Sequence, residues 1–190
     1  MAKAKLTFKI MSYWHAGTGM GEGANLDAVV VKSSHGLPYL PGKTVKGLFK
    51  DAMLTATECN AVSSGGTLTC FGGPVSSRFD SEMACLEFTD ATLGDAMEIW
   101  ASQSANKDKI RQLFRRVSST AIDGDGQALT DTLRTIEVAV PLTMTAYVES
   151  DGPTSGWITD LTASAPFIRY LGTHRHRGLG RVKVTVEVQT

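Results

Sequence analysis

Between Phe167 and the C-terminus the chain carries five basic side chains, Arg169, Arg175, Arg177, Arg181 and Lys183, against one acid, Glu187. His174 and His176 stand among them, and Gly172, Gly178 and Gly180 punctuate the same stretch, LGTHRHRGLGR. Cationic side chains and uncovered N–H groups on a pliant backbone make a phosphate-contacting loop. The plain alternative is a solvated basic loop; the coincidence of charge and glycine spacing favours the first. His174 or His176 could instead serve as a general acid or base. A second cluster is Lys43, Thr44, Lys46 and Lys50, at the start of an expected helix. Helix N-termini present unsatisfied N–H groups and the positive end of the dipole, so a phosphate could sit there; an ordinary lysine-bearing surface helix reads equally well. The third place is Asp27, which closes a glycine-rich stretch and opens an apolar one. A lone Asp in that position is by default a turn-former. It could also hold a divalent cation or orient an attacking hydroxyl near a phosphodiester.

Several familiar patterns fail on inspection. Gly42-Lys43-Thr44 ends like a P-loop, but the glycine required five residues earlier is Leu37, and Pro38 and Pro41 lack the N–H groups such a loop needs. The glycines at 17, 19, 21 and 23 follow a strand, yet the β-branched run after Asp27 replaces the helix of a dinucleotide fingerprint. Cys59, Cys70 and Cys85 are odd in number and loosely spaced, which points to a reducing compartment rather than a disulfide framework. Zinc on Cys59 and Cys70 lacks a CxxC or HxxxH partner. Formal net charge is zero, so any basic face arises by segregation of charge. There is no apolar run of membrane-spanning length and no secretory leader pattern, so the expectation is a cytoplasmic protein without membrane contact.

The elements that must position these residues follow from periodicity. Leu6, Phe8 and Ile10 alternate with polar neighbours in a strand running toward Trp14, and Ala28 to Val31 reads as a second strand. In GLPYLPGKTVKGLFK, Pro38 and Pro41 forbid helix before a hinge at Gly42; from Lys43, Val45, Leu48, Phe49 and Ala52 recur at helical spacing. Residues 55–80 are polar and read as a surface loop or insertion. Cys85 to Phe88 is a short strand. Residues 96–101 and 107–117 read as helical turns, the second basic through Lys107, Lys109, Arg111, Arg115 and Arg116. Ser118 to Gly126 has the turn chemistry of a hairpin tip. Strands follow over Thr135 to Pro141 and Leu142 to Glu149, then a helix limited by Pro166, the basic glycine loop, and a strand over Val182 to Val188. Strands and helices mix without βαβ repetition, so a single α+β domain spanning 1–190, with a ferredoxin-like or RRM-like antiparallel sheet, is expected. Such sheets commonly bind RNA.

Taken in order, GANLDAVVVK, GLPYLPGKTVKGLFK, TCFGG, STAIDGDGQAL and YLGTHRHRGLGRVKV resemble the RAMP superfamily, and more narrowly the repeated backbone subunit of type III CRISPR effector complexes, the Csm/Cmr group. The resemblance implies a modified RRM palm, inserted loops near 55–80 and a thumb hairpin near 117–135. It implies binding to CRISPR guide RNA, stacking with further copies and with other effector subunits, and cleavage of complementary target RNA at regular intervals. Asp27 matches the aspartate that cuts the target with a divalent cation, Mg²⁺ by expectation. Lys43, Thr44 and Lys46 match the turn-helix near the guide backbone; Ser119, Thr120, Ala121, Ile122 and Asp123 match the thumb. Gly172, Arg177, Gly178, Gly180 and Arg181 match the C-terminal loop. With Lys50, His174 and Arg175 they make up the expected RNA-binding set. Val29 stands where the family has a proline, and Lys43-Thr44 where it often has a serine pair. Two other readings compete: the same guide-binding scaffold without catalysis, and a repeat-processing RAMP endoribonuclease using a histidine such as His15.

Overall fold

The computed structural model describes residues 2–21, 26–63, 66–72, 84–150 and 156–189. Gly23 and Asn25 of the first glycine loop, and positions 73–80 of the expected insertion, lie outside the described residues. Strand β1 (Ala2–Ile10) buries Ala4, Leu6, Phe8 and Ile10 on one side. The expected alternation is therefore real, although the regular strand ends before Trp14. Helix α1 (Gly42–Glu58) follows, then a short α2 (Gly66–Thr69), β2 (Leu86–Phe88), α3 (Asp95–Ser102) and α4 (Lys107–Arg111). Strands β3 (Phe114–Ser119), β4 (Arg134–Ala139) and β5 (Thr143–Ser150), helix α5 (Trp157–Ser164) and strand β6 (Val182–Gln189) complete the chain.

Four strands form one sheet in the order β2-β5-β1-β6, and every pairing is antiparallel. The sequence β1-α1-β2 followed by β5-α5-β6, with β1 and β5 central, is the ferredoxin-like arrangement expected. Helices α3 and α4 and the two-stranded sheet β3–β4 are inserted between its halves. Helix α1 packs on the sheet through Val45, Leu48, Phe49, Ala52, Met53 and Ala56. Phe49 meets Phe8 edge-on at 6.5 Å between ring centroids and Phe88 at 5.9 Å, so one aromatic cluster joins helix to sheet. The opposite sheet face is polar: Lys5 lies between Tyr147 and Glu187, and Thr7 between Thr145 and Thr185. Lys3 pairs with Glu149 at 2.7 Å and lies over the Tyr147 ring. Mixed charge, with Tyr147 as its aromatic side chain, makes a poor base-stacking platform of the RRM kind.

Four expectations are corrected. Ala28 to Val31 is not a regular strand; its backbone is extended, but its partners come from separate segments. Val31 N–H donates to Ala16, Val29 N–H to Met20, and Glu137 N–H to Ala28, so no continuous ladder develops. Residues 107–117 do not form one helical stretch: α4 stops at Arg111, and from Phe114 the chain pairs with β4. Cys70 and Cys85, expected to be reduced, are joined as a disulfide that ties the end of α2 to the start of β2, while Cys59 is free and exposed. Gly42 is not a hinge but the first helical residue, and a Cβ there would collide with the Phe88 carbonyl oxygen.

Helix α1 has no cap from its own neighbourhood. Asp90, just past β2, accepts the Gly42 N–H at 2.7 Å and does that job from across the fold. Gly42→Ala should therefore cost about 1–3 kcal/mol in urea unfolding. Gly47, in the same helix with open space around its Cα, serves as the control: Gly47→Ala should stabilise by about 0.5–1 kcal/mol.

Candidate nucleic-acid interface

Four segments build a cleft of about 480 Å³: residues 15–18 after β1, the extended chain at Val31, residues 39–44 leading into α1, and the C-terminal glycine loop. His15, Thr18, Tyr39, Lys43, Thr44 and Arg175 supply its polar lining. The loop's glycines explain how it gets there. Gly172 and Gly180 both have positive φ, and a Cβ on either would strike backbone, at His15 and at Leu171 respectively. Thr173 N–H donates to the His15 carbonyl at 2.9 Å and Gly180 N–H to that of Tyr13 at 2.7 Å. These two glycines thus dock the loop onto the protein's own backbone. Gly178, also at positive φ, has open space around it.

The expected residues do not all meet. Lys43, Thr44, Gly172 and Arg175 come together in the cleft. Lys46 lies one helical turn away in a neighbouring groove shared with Lys43 and Glu87. Lys50 is turned to the Gly72 carbonyl at 3.1 Å. His174, Arg175, His176 and Arg177 line a shallow groove beside the cleft, where Arg175–Arg177 form a 3₁₀ turn. Arg181 faces a separate groove with Arg169, Tyr170 and Lys183. Among the described residues no group of three His, Cys, Asp or Glu side chains could hold a metal ion, and no helix is long and apolar enough to cross a membrane.

Asp27 is exposed at the root of the β3–β4 hairpin. Its backbone N–H donates to the Thr135 carbonyl at 2.8 Å, and its Oδ2 accepts the Thr135 N–H at 2.7 Å. Oδ2 is thus spoken for, and among the described residues Oδ1 has no protein partner. Beyond this root the hairpin stands clear of the core. Ser118 and Thr135 hydroxyls bond across it at 2.9 Å, and Asp123 Oδ1 organises the tip by accepting from Asp125 and Gln127. Ser119 to Asp123 are all exposed, and Ile122 and Leu133 are 64% and 69% exposed.

Glu137 is the residue that sequence reasoning did not single out. It sits in β4, is nearly buried, and binds two other segments at once. Its carboxylate accepts Val30 N–H at 3.1 Å and pairs with Lys32 at 2.8 Å; its carbonyl accepts from His15 Nδ1 at 2.6 Å. Lys32 also lies over the Phe114 ring at 4.4 Å. A carboxylate alternating with apolar neighbours in a strand was the available signal, but its partners lie more than a hundred residues away. Glu137→Ala would leave the Val30 N–H and Lys32 unpaired. It should cost about 1.5–3 kcal/mol in chemical unfolding and speed amide exchange at Val30.

No family model and no curated protein matches the sequence. Solved structures do match. One is a chain of "Type III-B Cmr-beta Cryo-EM structure of the Apo state", with a TM-score of 0.67 and 13% identity over 97% of this chain and 96% of that one. Another belongs to the Type III-B Cmr-beta bound to cognate target RNA, with a TM-score of 0.69 and 10% identity over the same shares. Over nearly its whole length, then, the chain has the α+β fold of a Type III-B Cmr-beta chain, in agreement with the RAMP resemblance read from its motifs.

Proposed function

We propose that this chain is a RAMP backbone subunit of a type III CRISPR ribonucleoprotein, which binds guide RNA, stacks with further copies and other effector subunits, and cuts complementary target RNA through Asp27. The observation that carries the reading is the position of Asp27 at the root of an exposed hairpin, with one carboxylate oxygen tied to Thr135 and the other open. A hairpin that displaces a nucleotide from a guide–target duplex would leave that nucleotide's sugar-phosphate beside its own root. The exposed apolar side chains of Ile122 and Leu133 suit such unstacking, since an apolar wedge takes the place of a stacked base. The likeness in fold to a chain whose structure holds cognate target RNA supports the same reading.

RNA brings its own nucleophile. In the proposed step the 2′-oxygen gives up its proton and forms a bond to the adjacent phosphorus, and the bond from phosphorus to the 5′-oxygen breaks as that oxygen takes a proton from water, so the products carry a cyclic phosphate and a 5′-hydroxyl. Holding the hydroxyl in line with the leaving oxygen is the larger part of the protein's task. Asp27 orients or deprotonates the hydroxyl. Asp27 Oδ1 would be the protein's one carboxylate oxygen toward a divalent cation such as Mg²⁺, which would offset charge on the phosphate. Lys43 and Arg175 hold guide phosphates in the cleft, and His174, His176 and Arg177 extend the basic surface.

The hydrogen bond from Thr135 to Asp27 also suits a second reading, in which the carboxylate only fixes the hairpin root and the chain is a guide-binding scaffold. Asp27→Asn separates the two, because the amide oxygen can still accept from Thr135 while the charge is lost. The assembly is prepared by co-expression with a CRISPR array and partner subunits, then given labelled complementary RNA and Mg²⁺. Wild type should yield an evenly spaced ladder. Asp27→Asn should retain target binding and lose cutting by roughly 10²-fold or more, and chelation of the cation should stop wild-type cutting. An RNA-bearing particle that gives no ladder with wild type would favour the scaffold reading.

A further inference from the structure

His15 lies in the wall of the cleft and is 3% exposed. A carbonyl oxygen can only accept, so the 2.6 Å bond to the Glu137 carbonyl fixes the ring proton on Nδ1. In the neutral ring that leaves Nε2 as a hydrogen-bond acceptor. The protein supplies it with no donor among the described residues. Nε2 emerges beside Gly17, where a Cβ would lie only 2.6 Å away, so any larger residue there would cover the nitrogen.

The surroundings define what this acceptor can take. Lys43 at the start of α1 and Arg175 on the glycine loop line the same cleft, so an anion is drawn in. A phosphate oxygen has no proton to give, and a lone pair at Nε2 repels it. The group that fits is a neutral hydroxyl donor carried a short distance from a phosphate. In a nucleic acid that is the ribose 2′-hydroxyl, the group that separates RNA from DNA.

We propose that His15 Nε2 accepts a hydrogen bond from a ribose 2′-hydroxyl of a nucleotide whose phosphate lies between Lys43 and Arg175, making this cleft a subsite that selects RNA over DNA. The proposal rests on the reading of the chain as RNA-binding and assigns the chemistry of one subsite within it. It gives His15 a role in recognition, through the lone pair that Nε2 carries in the neutral ring.

The full-length chain is titrated against three fluorescently labelled 20-mers: oligouridylate, its 2′-fluoro form and oligodeoxyuridylate. The 2′-fluoro form keeps an RNA-like sugar pucker but has no hydroxyl proton. Wild type should bind the RNA roughly three- to tenfold more tightly than either analogue, the scale of one hydrogen bond. His15→Ala should bring the ratio of RNA to deoxy binding down to about one; His15→Gln, which offers an amide oxygen near the position of Nε2, should recover part of the difference. Lys43→Ala should weaken all three strands alike. Equal binding of the RNA and 2′-fluoro strands to wild type would overturn the proposal without needing any variant. So would a His15→Ala protein that is folded by circular dichroism and weakened equally for all three strands. Failure of wild type to bind any of the three would instead overturn the RNA-binding reading itself.

Discussion

A carboxylate withdrawn from water must be matched by donors, or the fold that buries it does not hold. Glu137 meets that condition by collecting the Val30 N–H and Lys32 Nζ. In doing so it fastens the extended segment after Asp27 to the root of the hairpin. Its backbone completes the junction: the N–H donates to Ala28 at 2.9 Å and the carbonyl takes the His15 ring. Asp27, the cleft wall and the hairpin are thus positioned by one residue of β4. Paired hydrogen bonds between Trp14 and Ala139 then tie this junction to the end of β1.

What could be read in the sequence was whatever depends on near neighbours. Strands β1 and β6 alternate because one face packs on the helices and the other meets solvent. Helix α1 shows its spacing because its buried side chains line one stripe. The turn at Asp123 to Gly126 also follows from local hydrogen bonds. What escaped depends on distant partners. Asp90 caps α1 from 48 residues away, and Ala28 to Val31 looks like a strand although its partners are scattered. Phe114 to Val117 reads as a continuation of a basic helix because its arginines mask a strand whose partner lies across the hairpin. The pairing of Cys70 with Cys85 depends on where α2 ends relative to β2, which no spacing rule encodes.

The candidate site divides in the same way. The basic glycine loop stood out through composition, and the structure brings Gly172 and Arg175 to the same cleft as Lys43 and Thr44. Lys50 and Arg181 look equivalent to these in sequence but face other surroundings, since a single helical turn or strand residue decides which groove a side chain enters. Net charge of zero is reconciled by the same segregation. Acids and bases alternate on the open sheet face, where Lys3 and Glu149 pair, and cations gather where the loop docks.

The hairpin beyond Thr135 is held to the rest of the molecule at its base, and its apolar side chains at positions 122 and 133 bury little against the core. Residues that do not pack are released from the volume and shape constraints that preserve an interior. Evolutionary drift there is therefore limited by what the hairpin touches outside the molecule rather than by folding. Strict retention of large apolar residues at those positions among relatives would be a record of selection for an external contact, whereas the same retention at Phe8 or Phe49 would say only that the core must be filled.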